Sequence, residues 1–245
     1  RMELTEKNSP FATEPIGRLI VRFAVPCVIS LLVNALYNIV DQIFIGWGVG
    51  YLGNGATNVV FPITVIALAF ALLIAAYLSL KLGQGDLERV KKGVGNAVAM
   101  VTIAGILMLV VSLMFLNPIL TVFGATDKLR PYALDYGYII AIGLPFTMIS
   151  TALNSMIRAD GNPKFAMFSM LLGAVLNTIL DPVFIFLFHM GVQGAAIATV
   201  LGQVASFVVS AVYLTRFKTF RFDASALKLD GRICGSVLSL GVSSF

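Results

Sequence analysis

The sequence predicts an all-α membrane protein, a six-transmembrane-helix bundle followed by the start of a seventh helix, and three observations carry that prediction. Hydrophobic residues make up 58% of the 245 and charged residues only 12%, against about half apolar and about a quarter charged in an ordinary soluble domain. The apolar residues gather in six runs, 21–44, 52–80, 94–116, 132–156, 165–188 and 195–214, each near or above the roughly 20 residues that a bilayer requires. A further run opens near Ile233 and stops at Phe245. Finally, if the spans alternate in direction, all of the 17 Lys and Arg except Lys128 and Arg130 fall on one side. Positive charge collects in cytoplasmic connections, so the N-terminus is predicted to be cytoplasmic.

Residues 1–17 form a polar cytoplasmic segment. They lack the short apolar core and small-residue cleavage site of a secretory signal, so no cleavage is expected. The six-helix unit then covers 18–216, with the short connections of a packed bundle. In the first span, Asp41 is the only charged residue between Arg22 and Lys81. An ionisable group there costs about 3 kcal/mol on insertion scales and is a functional hypothesis by default. Asn34, Tyr37, Asn38 and Asp41 stand at i, i+3, i+4 and i+7, one stripe of a helix that must face protein or water. An outer turn is expected over 46–53.

The fourth span enters after Pro131 and carries Tyr136 in its outer part, then Met148, Asn154 and Met156. Core packing suits these last three, and Asn154 is retained as a substrate-lining candidate beside Tyr37, Asn38 and Gln42. In the fifth span Asn177 precedes Asp181 by four residues, which puts both on one face. Pro182 follows and is expected to bend the helix, freeing carbonyls for a cation or water. The sixth span carries Thr199, Ser206 and Ser210, residues that commonly link helices in membranes. His189 reads as an interfacial residue at the outer boundary. Cys27 and Cys234 are far apart in sequence, so packing is expected rather than a disulfide.

Residues 217–232 read as a cytoplasmic linker and 233–245 as the beginning of a second lobe. Gly17-Arg18 before Phe23-Ala24-Val25-Pro26 is matched by Gly231-Arg232 before Leu240-Gly241-Val242-Ser243. A new unit that starts after six spans suggests the first half of a duplicated protein.

The spans' alternating directions place Asp41, Tyr136, Asp181 and Thr199 at similar depth in the outer half of the bundle. Two carboxylates in a poorly solvated pocket repel one another, and desolvation favours their neutral forms. Such a pair suits the uptake and release of a proton. With oxygens from Asn177 and Thr199 it equally offers hard ligands to Na⁺; no resident metal or other cofactor is expected. Enzyme signatures fail: no G-x-x-x-x-G-K-[ST] loop occurs, and the one histidine cannot support the usual zinc sites. No nucleophile and base pair stands out, so no enzyme is expected. The basic loop at Arg89, Lys91 and Lys92 reads as cytoplasmic anchoring, not nucleic-acid binding. Energy for transport must then come from an ion gradient or a partner subunit.

Several motifs together are more specific than any one alone. Arg158-Ala159-Asp160-Gly161-Asn162-Pro163, Asn177-Thr178-Ile179-Leu180-Asp181-Pro182 and Gly191-Val192-Gln193-Gly194-Ala195-Ala196-Ile197-Ala198-Thr199, with Pro26, the Asp41 segment DQIFIG and the turn LGQGD at 82–86, resemble the multidrug and toxic compound extrusion (MATE) family. The resemblance implies one lobe of a twelve-helix transporter, alternating access, and export of small amphipathic, often cationic compounds in exchange for H⁺ or Na⁺. It implies a cation-coupling cluster at Asp41, Tyr136, Asn177, Asp181 and Thr199, with Tyr132 and Tyr138 as neighbouring alternatives to Tyr136. It also implies that the lipid bilayer and a C-terminal lobe absent from this chain are its partners. The sequence departs from the family at Leu73-Ile74-Ala75-Ala76, where members usually carry a small Gly-containing insertion. Each residue fewer turns the rest of that helix by about 100°. The alternatives are a flippase of related fold for a lipid-linked precursor, which the lack of intramembrane Lys or Arg disfavours, and a non-transporting half-lobe.

Overall fold

A computed structural model describes residues 15–83 and 87–214, with side chains for 15–72 and 95–214. The expected N-terminal segment up to residue 14, the Gln84–Asp86 part of the glycine turn, the linker and the second-lobe start lie outside the described residues, as does Cys234. The helices are α1 (Ile16–Gly48), α2 (Tyr51–Gly83), α3 (Leu87–Val122), α4 (Arg130–Ala159), α5 (Pro163–Pro182) and α6 (Gly191–Leu214), with a π-helical turn, Val183–Leu187, after α5. All six helices are long and apolar enough to cross a membrane. α2 runs unbroken through the departure at Ile74.

The boundaries extend beyond the apolar runs, because a helix continues into the interface as long as its backbone is satisfied. The expected outer turn over 46–53 is much tighter. Only Val49 and Gly50 separate α1 from α2, with Gly50 at φ 86°, a conformation that glycine adopts without steric cost. At the opposite end of the bundle, Asn162 caps α5 by accepting the Phe165 N–H at 3.3 Å, and Pro163 takes the first helical position.

α4 sits at the centre, packed on α2, α3, α5 and α6. It is the least apolar of the six and the most buried, the order expected where lipid surrounds the bundle and polar side chains must turn inward. The core includes Leu144, Met148, Leu153 and Met156 of α4 with Val60 of α2, Leu116 and Leu120 of α3 and Ile45 of α1. α1 is the opposite case: it lies at the edge along α5, and only Pro26, Ser30, Asp41 and Ile45 are buried.

Pro182 corrects one expectation. The helix is not simply bent there; α5 ends and the π turn begins, closed by Phe188 N–H to the Val183 carbonyl at 3.0 Å. Proline lacks the N–H that would continue the α ladder, and a wider turn absorbs the mismatch. The sharper break lies in α3, where Phe115 leaves helical geometry at φ −120° and ψ 17°, three residues before Pro118.

Candidate functional site

The site grows from two stripes on neighbouring helices. On α5, Asn177 and Asp181 are one turn apart and 2% and 0% exposed. On α1, Asp41 is 6% exposed and faces them, its carboxyl close enough to that of Asp181 for the two charges to interact. The Asn177 amide donates from Nδ2 to Asp181 Oδ1 at 3.3 Å and to Thr199 Oγ1 of α6 at 3.2 Å. Tyr136 of α4 is buried, within electrostatic reach of Asp41 and Asp181, while Tyr132 is half-buried and Tyr138 is 42% exposed. Four helices thus meet at one point, and all five residues singled out for cation coupling are brought together there.

The electrostatics of the cluster are set by what it lacks. Asp41 Oδ1, Asn177 Oδ1 and Asp181 Oδ2 are buried acceptors with no hydrogen-bond partner. No Lys, Arg or His of the described residues pairs with either carboxyl; the half-buried Arg130 pairs instead with the exposed Asp127 at 3.9 Å. Buried charges are normally paired or bound to a cation, and unmet acceptors are costly. The donor set, two carboxyls with amide and hydroxyl oxygens, fits a proton or a hard cation such as Na⁺. Among the described residues no group of three His, Cys, Asp or Glu is placed to hold a metal ion.

The substrate-lining candidates divide. Tyr37 is half-buried, within electrostatic reach of Asp41 and Asp181. Asn38 is exposed, with Nδ2 held by the Asn34 carbonyl at 2.7 Å. Gln42 donates from Nε2 to Thr57 Oγ1 of α2 at 2.8 Å. Asn38 and Gln42 line an open groove of about 490 Å³ with Gly46, Trp47 and Asn54. Asn154 lies elsewhere. It is 2% exposed and joined to Ser150 and Ser210, so it lines no open face of the described structure.

Ser206 and Ser210, expected to link helices, do so here, and what the sequence reading missed is their partners Ser150 and Ser169. The Ser169 hydroxyl of α5 donates to the Ser206 carbonyl at 2.9 Å and pairs with the Ser210 hydroxyl at 2.7 Å, while the Ser150 and Ser206 hydroxyls pair at 3.0 Å. Ser150 with Asn154, and Ser206 with Ser210, are four apart on their helices. That spacing was the available signal, but pairing across helices was not visible from it. Of the remaining residues, His189 is exposed in the turn before α6 at φ 54°, and Cys27 is a half-buried free thiol.

Comparison with known proteins agrees with this architecture. A family profile described as MatE matches residues 26–183. The chain is 27% identical to the probable multidrug resistance protein YoeA of Bacillus subtilis strain 168 over 98% of its own length and 54% of the relative's. It is 26% identical to the multidrug export protein MepA of Staphylococcus haemolyticus, over 96% and 53%. A solved structure of the MATE multidrug transporter DinF-BH superposes with a TM-score of 0.85 at 34% identity, covering 95% of this chain and 53% of that one. The chain therefore spans about half the length of the curated relatives it matches. With six membrane-length helices in this arrangement and a profile match across most of them, the chain belongs to the MatE family of multi-pass membrane transporters.

Proposed function

We propose that this chain is the N-terminal lobe of a secondary antiporter that exports small amphipathic, often cationic compounds by alternating access. The coupling ion, H⁺ or Na⁺, is taken up at Asp41 and Asp181 with help from Asn177, Thr199 and Tyr136. The observation that carries the reading is the buried pair of carboxyls, on helices distant in sequence, with unmet acceptors and no basic partner among the described residues. Binding of a proton or Na⁺ relieves carboxylate repulsion and draws α1 onto α5. Coupling requires only that the ion prefer one arrangement of α1 over another. The thin burial of α1 elsewhere supports it as the element that moves.

Substrate meets the lobe along the polar side of α1, at Tyr37 and at Asn38 and Gln42, the last two lining the groove with the Trp47 ring. Asn154 contributes by holding α4 and α6 in place. The lobe covers 18–216, the linker 217–232, and a second lobe begins within 233–245. The protein resides in the plasma or inner membrane, with its N-terminus in the cytoplasm. The names of YoeA, MepA and DinF-BH, all multidrug proteins, support the substrate class.

The test is efflux of a cationic dye driven by an imposed H⁺ or Na⁺ gradient, in cells expressing the natural protein. Asp41→Asn and Asp181→Asn should each lower ion-driven efflux by about tenfold or more, the scale of a coupling energy. Undiminished ion-driven export in both variants would overturn the assigned role.

A further inference from the structure

We propose that Gly48 is a positioning residue: it seats the outer end of α1 on the π turn, and so sets how closely Asp41 approaches Asp181. The inference rests on the coupling role of those carboxyls and names a residue that acts on them from a distance. Asp41, Ile45 and Gly48 stand at i, i+4 and i+7, one stripe of α1. Opposite them, Asp181 closes α5 and Ile185 follows within the π turn, 0% and 3% exposed. The two stripes meet along their length, carboxyl to carboxyl at one end and glycine to isoleucine at the other.

The contact at Gly48 has no slack. A Cβ built there would lie 2.2 Å from Ile185 Cγ2 and 3.4 Å from Phe186 Cε1, whereas carbon atoms pack at about 3.5–4.0 Å. Ile185 cannot swing aside easily, because a β-branched side chain is stiff about its first torsion. Nor can the turn retreat. Gly194 of α6 backs onto the Phe184 main chain so closely that a Cβ there would lie 2.9 Å from the Phe184 carbonyl carbon. Phe44 adds an edge-on contact with Phe186 at 6.2 Å between ring centroids. This seat adjoins one of only two places where α1 is buried, Asp41 with Ile45, the other being Pro26 with Ser30. A methyl at position 48 therefore lifts the outer end of α1 from α5, and Asp41 is about 10 Å along the axis from it.

Two measurements on the purified 245-residue chain test this. In the first, Asp41→Cys and Asp181→Cys are combined with Cys27→Ala and Cys234→Ala, and the affinity of the thiol pair for Cd²⁺ is titrated as a gauge of separation. Gly48→Ala should weaken Cd²⁺ binding by about tenfold, since small misplacements of paired ligands carry large effects. Adding Ile185→Ala, which removes the opposing methyl, should restore it, and Gly17→Ala, with nothing within 4 Å of its Cβ position, should leave it unchanged. In the second, with both aspartates present, the dependence of melting temperature on pH and on Na⁺ is compared. Its midpoint should move in Gly48→Ala and return in Gly48→Ala/Ile185→Ala.

Unaltered Cd²⁺ affinity in Gly48→Ala, or a loss that Ile185→Ala does not repair, overturns the proposal. If the melting temperature of the unaltered chain responds to neither pH nor Na⁺, the coupling reading itself fails, while the cadmium titration still decides the seat.

Discussion

Asn177 is the residue on which the candidate site turns. Its Nδ2 group reaches both Asp181 and Thr199, so one amide ties α5 to α6 beside the carboxyl pair. Its own Oδ1 is left without a partner, next to free acceptors on Asp41 and Asp181. An unmet buried acceptor costs about 1–3 kcal/mol, and three together favour any ligand that supplies positive charge. Asn177→Leu removes both donor and acceptor, so ion-linked stabilisation of the purified chain should weaken by roughly tenfold in apparent ion affinity, the equivalent of about 1.4 kcal/mol. Thr199→Val, which removes one hydroxyl and keeps the shape, should weaken it less. Ion-dependent melting curves check both, and equal affinity in Asn177→Leu and the unaltered chain would remove Asn177 from the site. The four-residue spacing of Asn177 and Asp181 is plain in the sequence. The reach of Asp41 and Thr199 to them is not, because it depends on how three helices are rotated about their axes.

At the level of the helices, α4, α5 and α6 behave as one block. Ser150, Asn154, Ser169, Ser206 and Ser210 form a buried hydrogen-bonded knot, with each side chain no more than 9% exposed. Just beyond it the α5 and α6 backbones touch: a Cβ on Gly173 would lie 2.7 Å from the Gly202 carbonyl oxygen, and one on Gly202 would lie 2.6 Å from that of Gly173. Small residues are what allow helices to approach this closely in lipid. Ser169→Ala should lower stability by about 1 kcal/mol, because it strands partners on Ser206 and Ser210. Gly202→Ala should cost more, about 1–3 kcal/mol, since backbone must shift to admit the methyl. Unfolding in graded detergent denaturant measures both, and a larger loss for Ser169→Ala than for Gly202→Ala would reverse this ranking. α1 packs chiefly along α5, with its buried side chains confined to Pro26, Ser30, Asp41 and Ile45.

Across the whole molecule, the apolar surface is turned outward. Large hydrophobic side chains such as Leu32, Leu36, Ile106, Leu107 and Phe168 are more than half exposed, as suits a bundle solvated by hydrocarbon. The charge bias then predicts the orientation. A cysteine at Lys128 should react with a membrane-impermeant maleimide added outside intact cells, whereas one at Lys164 should react only after the cells are opened. The reverse pattern would invert the topology and place the carboxyl pair in the inner leaflet half.

The chain itself determines its class, the number of spans, and the few polar groups those spans must shelter. Each of these follows from composition, run length and helical spacing, which are local and additive. Even the bend at Pro182 was legible in kind, since a missing N–H disturbs any helix, although the π turn that answers it was not. Tertiary structure alone decided which polar groups meet. It put Asn154 in the serine knot and not on an open face, chose Tyr136 over Tyr132 and Tyr138 for the carboxyl cluster, and set Gly48 against Ile185. Such contacts depend on the rotation and crossing of packed helices, and those are settled by close-range fit between side chains that lie far apart in the sequence.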